Sequence, residues 1–338
     1  MSGTLFTPFR SQLVGLPRLA LLLILLLPSL LLAAPHYSAP NSAPHYSAPH
    51  FTPHSAAPLP AAPLRVVTLS NDSTEALLAL GLQPVGATRS LNGNPWYRHI
   101  AAQMSGVIVV GLENAPNLEL IASLQPDLIL GNRQQSARLL STLERIAPTV
   151  LVRDSRKGWQ QNFLTFSRAL GQEAAAQARL ARLQRQILCL RQALQQQPLR
   201  RISVLRFNPG QVRLYQLDSF SGELFAALGF TRPPNQNVHA YGVNNFSRER
   251  IAELDADRLF YFTYGARRQQ STLQYREAFM SDPAWQQLSV VRHGQVRSLD
   301  DVIWNTANGI LAAEVALSQI PSLFSLPASE GKTCAATL

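Results

Sequence analysis

From Leu64 onward, short β-branched and aliphatic runs alternate with segments whose apolar positions recur every three or four residues, a pattern that predicts an α/β fold. LRVVTLS (residues 64–70) reads as a strand. It turns through the polar NDST into a helix at ALLALG, which Asp72, Ser73 or Thr74 can cap and Gly81 can end. PVGA and VIVVG read as further short strands, PNLELIASLQPDLILG as a helix followed by a strand, and IAPTVLV as another strand. A helical pattern then covers residues 160–197, with Leu180, Leu183, Ile187, Leu190 and Leu194 at intervals of three and four, until Pro198 stops it. The part from Gln172 onward would extend on the order of 40 Å at about 1.5 Å per residue, enough to cross one domain and reach the next. Beyond it RISVLRF and QVRLY predict strands, SGELFAALG a helix, and FSRERIAELDADRLFYF a helix followed by a strand.

The second half repeats parts of the first. SGELFAALGF (residues 221–230) matches STEALLALGL (residues 73–82) at five of ten positions, with an offset of 148. FSRERIAELDADRLFYF matches PNLELIASLQPDLIL at an offset of 130, pairing Glu119 with Glu249, Ile121 with Ile251, Ala122 with Ala252, Leu124 with Leu254 and Asp127 with Asp257. Two segments recurring in the same order predict two similar α/β lobes, with the long helix between them.

Composition adds an address. In a chain of 338 residues, long enough for two cores, residues 1–34 carry Arg10 and Arg18 and then LALLLILLLPSLLLAA, a basic start followed by an apolar run ending in small residues. That is a secretory signal; as an uncleaved anchor the run would be short and interrupted by Pro28. No cysteine lies near its end, so lipid attachment is not indicated. Removing it takes two arginines from the formal charge of +10 and leaves +8. That charge is dispersed rather than clustered, and the destination lies outside the cytoplasm, so no nucleic-acid partner is expected. Only Lys157 and Lys332 are lysines, an arginine bias too general to mark a site. Residues 35–63 contain PHYSAP twice and four of the seven histidines (His36, His45, His50, His54), a proline-dense tether that forbids helix and sheet. Cys189 falls in the long helix and Cys334 in the C-terminal tail, so a disulfide between them needs the tail to fold back.

The ordered set RVVTLSNDSTEALLALGLQPVG, VGLENAPNLELIASLQPDLIL, RIAPTV, SVLRFNPGQVRLYQLDSFSGELFAALGFTRP and VIWNTANGILAAE resembles the periplasmic solute-binding proteins of ABC importers for ferric siderophores and cobalamin, most of all the iron(III) dicitrate type. The resemblance covers roughly residues 64–325. It implies the class III periplasmic binding protein fold: an α/β chain of two similar lobes joined by one long rigid α-helix. The expected boundaries are a signal peptide at 1–34, a tether at 35–63, an N-terminal lobe at 64–157, the connecting helix at 158–198, a C-terminal lobe at 199–326 and a tail at 327–338. A helix as connector also implies small lobe closure, because bending it breaks backbone hydrogen bonds.

The resemblance further implies a monomer that captures a ferric siderophore, of citrate or citrate-hydroxamate type, in the periplasm and delivers it to an ABC permease. Membrane contact is then only through that permease or a retained anchor, with no resident cofactor and no metal held by the protein alone. In this family an acid on each lobe pairs with permease arginines. The acids shared by the two copies of the first repeat, Glu75 and Glu223, are the expected docking pair, although a carboxylate in a first helical turn also suits the macrodipole. An anionic chelate calls for cations in the cleft, and arginine grips carboxylates with paired hydrogen bonds. The candidates are Arg133, Arg206, Arg213 and Arg89, of which Arg206 and Arg213 stand within apolar strands and need an anionic partner if they point inward. Tyr215, Tyr241, Trp304 and Trp96 are the aromatic candidates for apolar ligand surface, and the Asn305 amide can bind ligand or close a turn. One departure matters: the family often has an arginine before PN where VGLENAPN has Glu113, which weakens the case for a strongly anionic ligand or implies a bond to a ligand hydroxyl or ammonium.

Catalytic signatures are missing: no G-x-S-x-G, H-E-x-x-H or C-x-x-C occurs, so the chain is not expected to be an enzyme. His99, His239 and His293 are scattered, and a lone imidazole is more often structural. The alternatives are cobalamin or haem capture by the same fold, with His239 as an axial ligand, an envelope metal-binding protein acting through the histidine-rich tether, or a secreted enzyme with an unrecognised site.

Overall fold

The computed structural model describes residues 64–153, 158–196, 200–265 and 269–327, together with Ser329, Gly331 and Cys334; the signal segment and the tether lie outside them. The described residues belong to one unit, Pro58–Leu338. Among them no helix is long and apolar enough to cross a membrane.

The first lobe is built on β1 (Val66–Thr68), β2 (Gly86–Arg89), β3 (Ile108–Leu112), β4 (Ala115–Pro116), β5 (Leu128–Asn132) and β6 (Thr149–Val152). Their spatial order is β4-β3-β2-β1-β5-β6, and every pairing is parallel except the short β3–β4 contact. β1 and β5 are buried along their whole length, the uniform burial expected of central parallel strands covered on both faces. The chain leaves β1 for β2 on one side and later returns for β5 on the other, so the order reverses beside β1.

The second lobe carries β7 (Ile202–Asn208), β8 (Gln211–Tyr215), β9 (Gly242–Val243), β10 (Arg258–Thr263) and β11 (Val296–Ser298), in the order β11-β10-β7-β8-β9. Here β7, β10 and β11 are parallel, while β8 pairs antiparallel with β7 on one side and with β9 on the other, β7 and β8 forming a hairpin that turns at Gly210, φ +69°. The two lobes are therefore less alike than the repeat suggests. The first repeat places the helix Asn71–Ala79 after a parallel strand and its copy Phe220–Ala227 after an antiparallel one. The second repeat is the more faithful. Asp127 accepts the amide of Arg65 at 2.7 Å and returns its own amide to the Arg65 carbonyl at 2.8 Å. Asp257 does the same with Arg201, at 2.9 and 3.0 Å. In each lobe the aspartate fixes where the strand after the repeat begins against its central neighbour.

The expected single helical stretch is two helices, Trp159–Ala169 and Glu173–Leu194, because Gly171 takes a left-handed φ of +66° between them. The second, of 22 residues, is the long connector, and Leu183, Ile187, Leu190 and Leu194 are buried as their spacing predicts, with Leu180 half-buried. Each lobe keeps an apolar cluster of its own: Val67, Leu69, Val110 and Ile129 in the first, Leu205, Phe207, Val212 and Leu259 in the second. A third and larger cluster is common to both, joining Val66, Leu77 and Phe166 to Ile202, Val204, Phe260 and Trp304 through the connector and the last long helix, Ile310–Leu323. The tail does fold back, since Cys189 and Cys334 form a disulfide with their Cα atoms 5.5 Å apart.

Candidate functional site

In open α/β sheets ligands collect beyond the carboxyl ends of the strands, where the strand order reverses. Such a place exists here. A cavity of about 170 Å³ is lined by Ser70, Asn71, Asp72, Leu91, Glu113 and Asn132 of the first lobe and by Arg206, Tyr241 and Asn305 through Asn308 of the second. Each of the first-lobe residues lies at or just past the carboxyl end of β1, β2, β3 or β5. On the other wall, Arg206 belongs to β7 and points to the same side as the buried Ile202 and Val204, as the period of two requires. Asn308 adopts a left-handed φ of +60° just after a π turn at Val302–Thr306, an irregular backbone of the kind that recurs at functional sites.

Charge at this cavity differs from the expectation of a cationic lining. Arg206 is the one predicted arginine that lines it, and its Nη2 already donates to Asp301 Oδ2 at 2.6 Å. The anionic partner that its place in an apolar strand demanded thus comes from the chain itself, and Asp301 Oδ1 also accepts from Asn305 Nδ2 at 3.0 Å. The Arg206 guanidinium lies 4.9 Å from the centre of the Tyr264 ring, and its buried Nε has no hydrogen-bond partner among the described residues.

Two acids face the cavity from the first lobe. Asp72 is buried; its Oδ1 accepts from the Ser70 hydroxyl and from the Ser73 amide at 3.0 Å, while Oδ2 has no partner among the described residues. Burial, with the nearby Glu75 charge adding to it, pushes the Asp72 carboxyl up to about 6. Glu113 accepts the amide of Asn71 at 2.9 Å, and burial together with the charge on Asp72 pushes it up to about 7. No arginine or lysine is among the causes acting on either acid.

The other expected ligand residues divide clearly. Tyr241 and Asn305 line the cavity with Arg206. Arg213 is half-buried, donates to Asn244 Oδ1 at 2.5 Å and lies 5.7 Å from the Tyr241 ring centre, one layer behind the lining. Arg133 and Arg89 are exposed, Arg133 directly after the lining residue Asn132 and Arg89 two residues before the lining residue Leu91, and neither lines the cavity. Trp96 is half-buried against the common core. Two aromatic expectations are corrected: Trp304 is fully buried, stacked on Phe225 at 5.0 Å with its Nε1 donating to Gln319 Oε1 at 2.7 Å, and Tyr215 is fully buried edge-on to Tyr241 and Phe262. Both are core rings, and neither lines the cavity.

Glu75 is the largest correction. It is fully buried, accepting from His99 Nε2 at 2.7 Å, from Asn71 Nδ2 at 3.1 Å and from the amide of Ala312 at 2.9 Å, so it has no surface to offer a permease. Glu223 is half-buried and accepts the amide of Gly158 at 2.9 Å, bracing the start of the helix Trp159–Ala169. The residues that sequence reasoning missed are Ser70, Asn71, Leu91, Asn132 and Thr306 through Asn308, and Asp72 was weighed only as a cap. The signal that could have found those of the first lobe was position, directly after the predicted strands at the reversal of order.

Comparison with known proteins agrees with this architecture. Residues 66–303 match the family model described as periplasmic binding protein. The chain is 38% identical over 272 residues to the probable siderophore-binding lipoprotein YfiY of Bacillus subtilis, covering 79% of this chain and 84% of the relative. It is 32% identical to the achromobactin-binding periplasmic protein of Dickeya dadantii, over 76% of this chain and 85% of that protein. The crystal structure of Staphylococcus aureus SirA complexed with staphyloferrin B superposes with a TM-score of 0.72 at 27% identity, over 78% of this chain and 94% of that one. Two α/β lobes joined by one long helix, a cavity where their strand ends meet, and these matches together lead to one assignment: the chain belongs to the periplasmic binding protein family, class III in fold, whose members bind substrates rather than transform them.

Proposed function

We propose that this protein is the substrate-binding component of an ABC importer and captures a ferric siderophore between its lobes. The observation that carries the reading is the cavity itself, lined by both lobes at the reversal of strand order, in a chain whose curated relatives are named for siderophore and ferric citrate binding. At about 170 Å³ the cavity is smaller than the roughly 300–1,000 Å³ typical of ligand pockets, so it takes one arm of a chelate while the rest lies over the mouth, against the exposed Leu91. Arg206, Tyr241 and Asn305 contribute the second wall, with Arg213 beside Tyr241, while the exposed Arg133 and Arg89 stand at strand ends of the first lobe and Trp96 packs against the common core. A periplasmic location is supported by the predicted signal segment, by the Cys189–Cys334 disulfide, which belongs to an oxidising compartment, and by relatives named as periplasmic proteins or lipoproteins.

Titration of tryptophan fluorescence with a panel of ferric citrate, hydroxamate and catecholate chelates tests this reading. Saturable quenching by at least one of them is expected. Silence toward all of them, with quenching by cobalamin or haem instead, would transfer the function to those ligands.

Delivery to a permease calls for an exposed acid on each lobe, and the buried Glu75 removes the first-repeat pair from that role. The second repeat supplies a pair that meets the requirement: Glu119 and Glu249 are both exposed, both in the first turn of matching elements, Leu118–Ser123 and Arg248–Leu254. Reversing both, Glu119→Lys with Glu249→Lys, should abolish growth on siderophore iron and leave chelate affinity within twofold. Undiminished uptake by the double variant would remove these residues from the docking surface.

A further inference from the structure

Arg206 and the two acids of the first lobe line one cavity from opposite walls, and two of these side chains keep a buried polar atom without a partner among the described residues. On one wall Asp72 is 94% buried, with Oδ2 unpartnered, and Glu113 is tied to it through the amide of Asn71, the residue before Asp72. On the other wall Arg206 is 92% buried, with Nε unpartnered, and its charge is already balanced by Asp301. An unpaired buried donor or acceptor is expensive unless a bound molecule completes it. Asp301 leaves Arg206 little net charge to offer, whereas Asp72 and Glu113 have no basic side chain beside them in the lining. What the site lacks is therefore a cation, together with a small acceptor for Arg206 Nε.

We propose that the cavity selects iron chelates carrying a protonated amine, which seats between Asp72 and Glu113 while an acceptor on the same arm of the ligand meets Arg206. This rests on the cleft being the ligand site and names the class of ligand it prefers. The charged or titratable groups around the two acids are Glu75 with its partner His99, Tyr97, which interacts with Glu113, and, among the lining residues of the second lobe, Tyr241 and Arg206, the latter with its partner Asp301. The uptake of a cation relieves the repulsion among Asp72, Glu113 and Glu75, a relief that a neutral hydroxyl does not give. With the acids ionising at about 6 and about 7, affinity for an amine-bearing chelate should rise as pH increases from 5 to 8, because the carboxylates must lose their protons to hold an ammonium.

The test uses matched ferric hydroxamate, catecholate and citrate-based chelates, each with a free primary amine and as its N-acetyl derivative, titrated into the full-length protein by fluorescence. The expected result is at least tenfold tighter binding of the amine form in the pairs that bind, lost in Glu113→Gln and in Asp72→Asn, and a pH dependence confined to the amine form. Equal or tighter binding of the acetylated forms, or a preference that survives both substitutions, overturns the proposal while leaving chelate capture intact. Binding by none of the pairs overturns the chelate reading itself and the proposal with it.

Discussion

Replacing Glu75 with alanine should destabilise the protein by about 3–5 kcal/mol, the scale for removing one partner of a buried charged network. The carboxylate gathers a side-chain donor from Asn71, the His99 ring and the amide of Ala312, a residue 237 positions away, and alanine leaves all three without it. The last contact has a particular meaning. The helix Ile310–Leu323 has Gly309 as its N-cap, which has no side chain to accept its first amides, and Glu75 from the other lobe performs that task at the positive end of the helix. A Cβ on Gly309 would collide with Glu75 Oε2, so glycine is required there by a close approach. Urea unfolding measures the effect: Gly309→Ala should destabilise the parent and become nearly neutral in the Glu75→Ala background, a coupling that a double-mutant cycle isolates. Additive losses, or a Glu75→Ala loss below about 1 kcal/mol, would refute the cross-lobe cap.

Loss of the disulfide has the second large expected effect. Cys189 and Cys334 are 145 residues apart in sequence, and closing a loop of that size in the unfolded chain is worth about 4–5 kcal/mol in the loop-entropy account. Because native strain and residual structure reduce such values, Cys189→Ser or reduction should lower stability by about 2–5 kcal/mol. Denaturant midpoints measured with and without dithiothreitol give the answer. A midpoint indifferent to reductant, or two titratable thiols in the unreduced folded protein, would contradict the bond.

Much of this architecture was readable along the chain because it is written in local pattern. The strands of the first lobe, the seam Leu183, Ile187, Leu190 and Leu194, and the second repeat with its paired aspartates all rest on short-range spacing. What escaped depends on contacts between distant residues. Nothing near Glu75 announces that it will be buried under Ala312, and nothing in QVRLY indicates that β8 will run antiparallel and give the second repeat a different setting. Gly171 was a legible stop, overlooked because apolar spacing resumes on its far side. At the site, Arg206 was found through the cost of a cation in an apolar strand, but its partner Asp301 is 95 residues further on. Asp72 was missed because a polar residue at a helix start already has a sufficient local explanation.

The apolar cluster common to the two lobes bears on how a loaded protein could be told from an empty one. Swinging the lobes widely apart would draw Phe166, Leu183, Phe260 and Trp304 toward water, at roughly 25 cal/mol for every Å² uncovered. Such a hinge is energetically closed, and the empty and loaded forms should share nearly one silhouette. Occupancy must then be announced by what fills the mouth of the groove and by the stiffness it lends the rims.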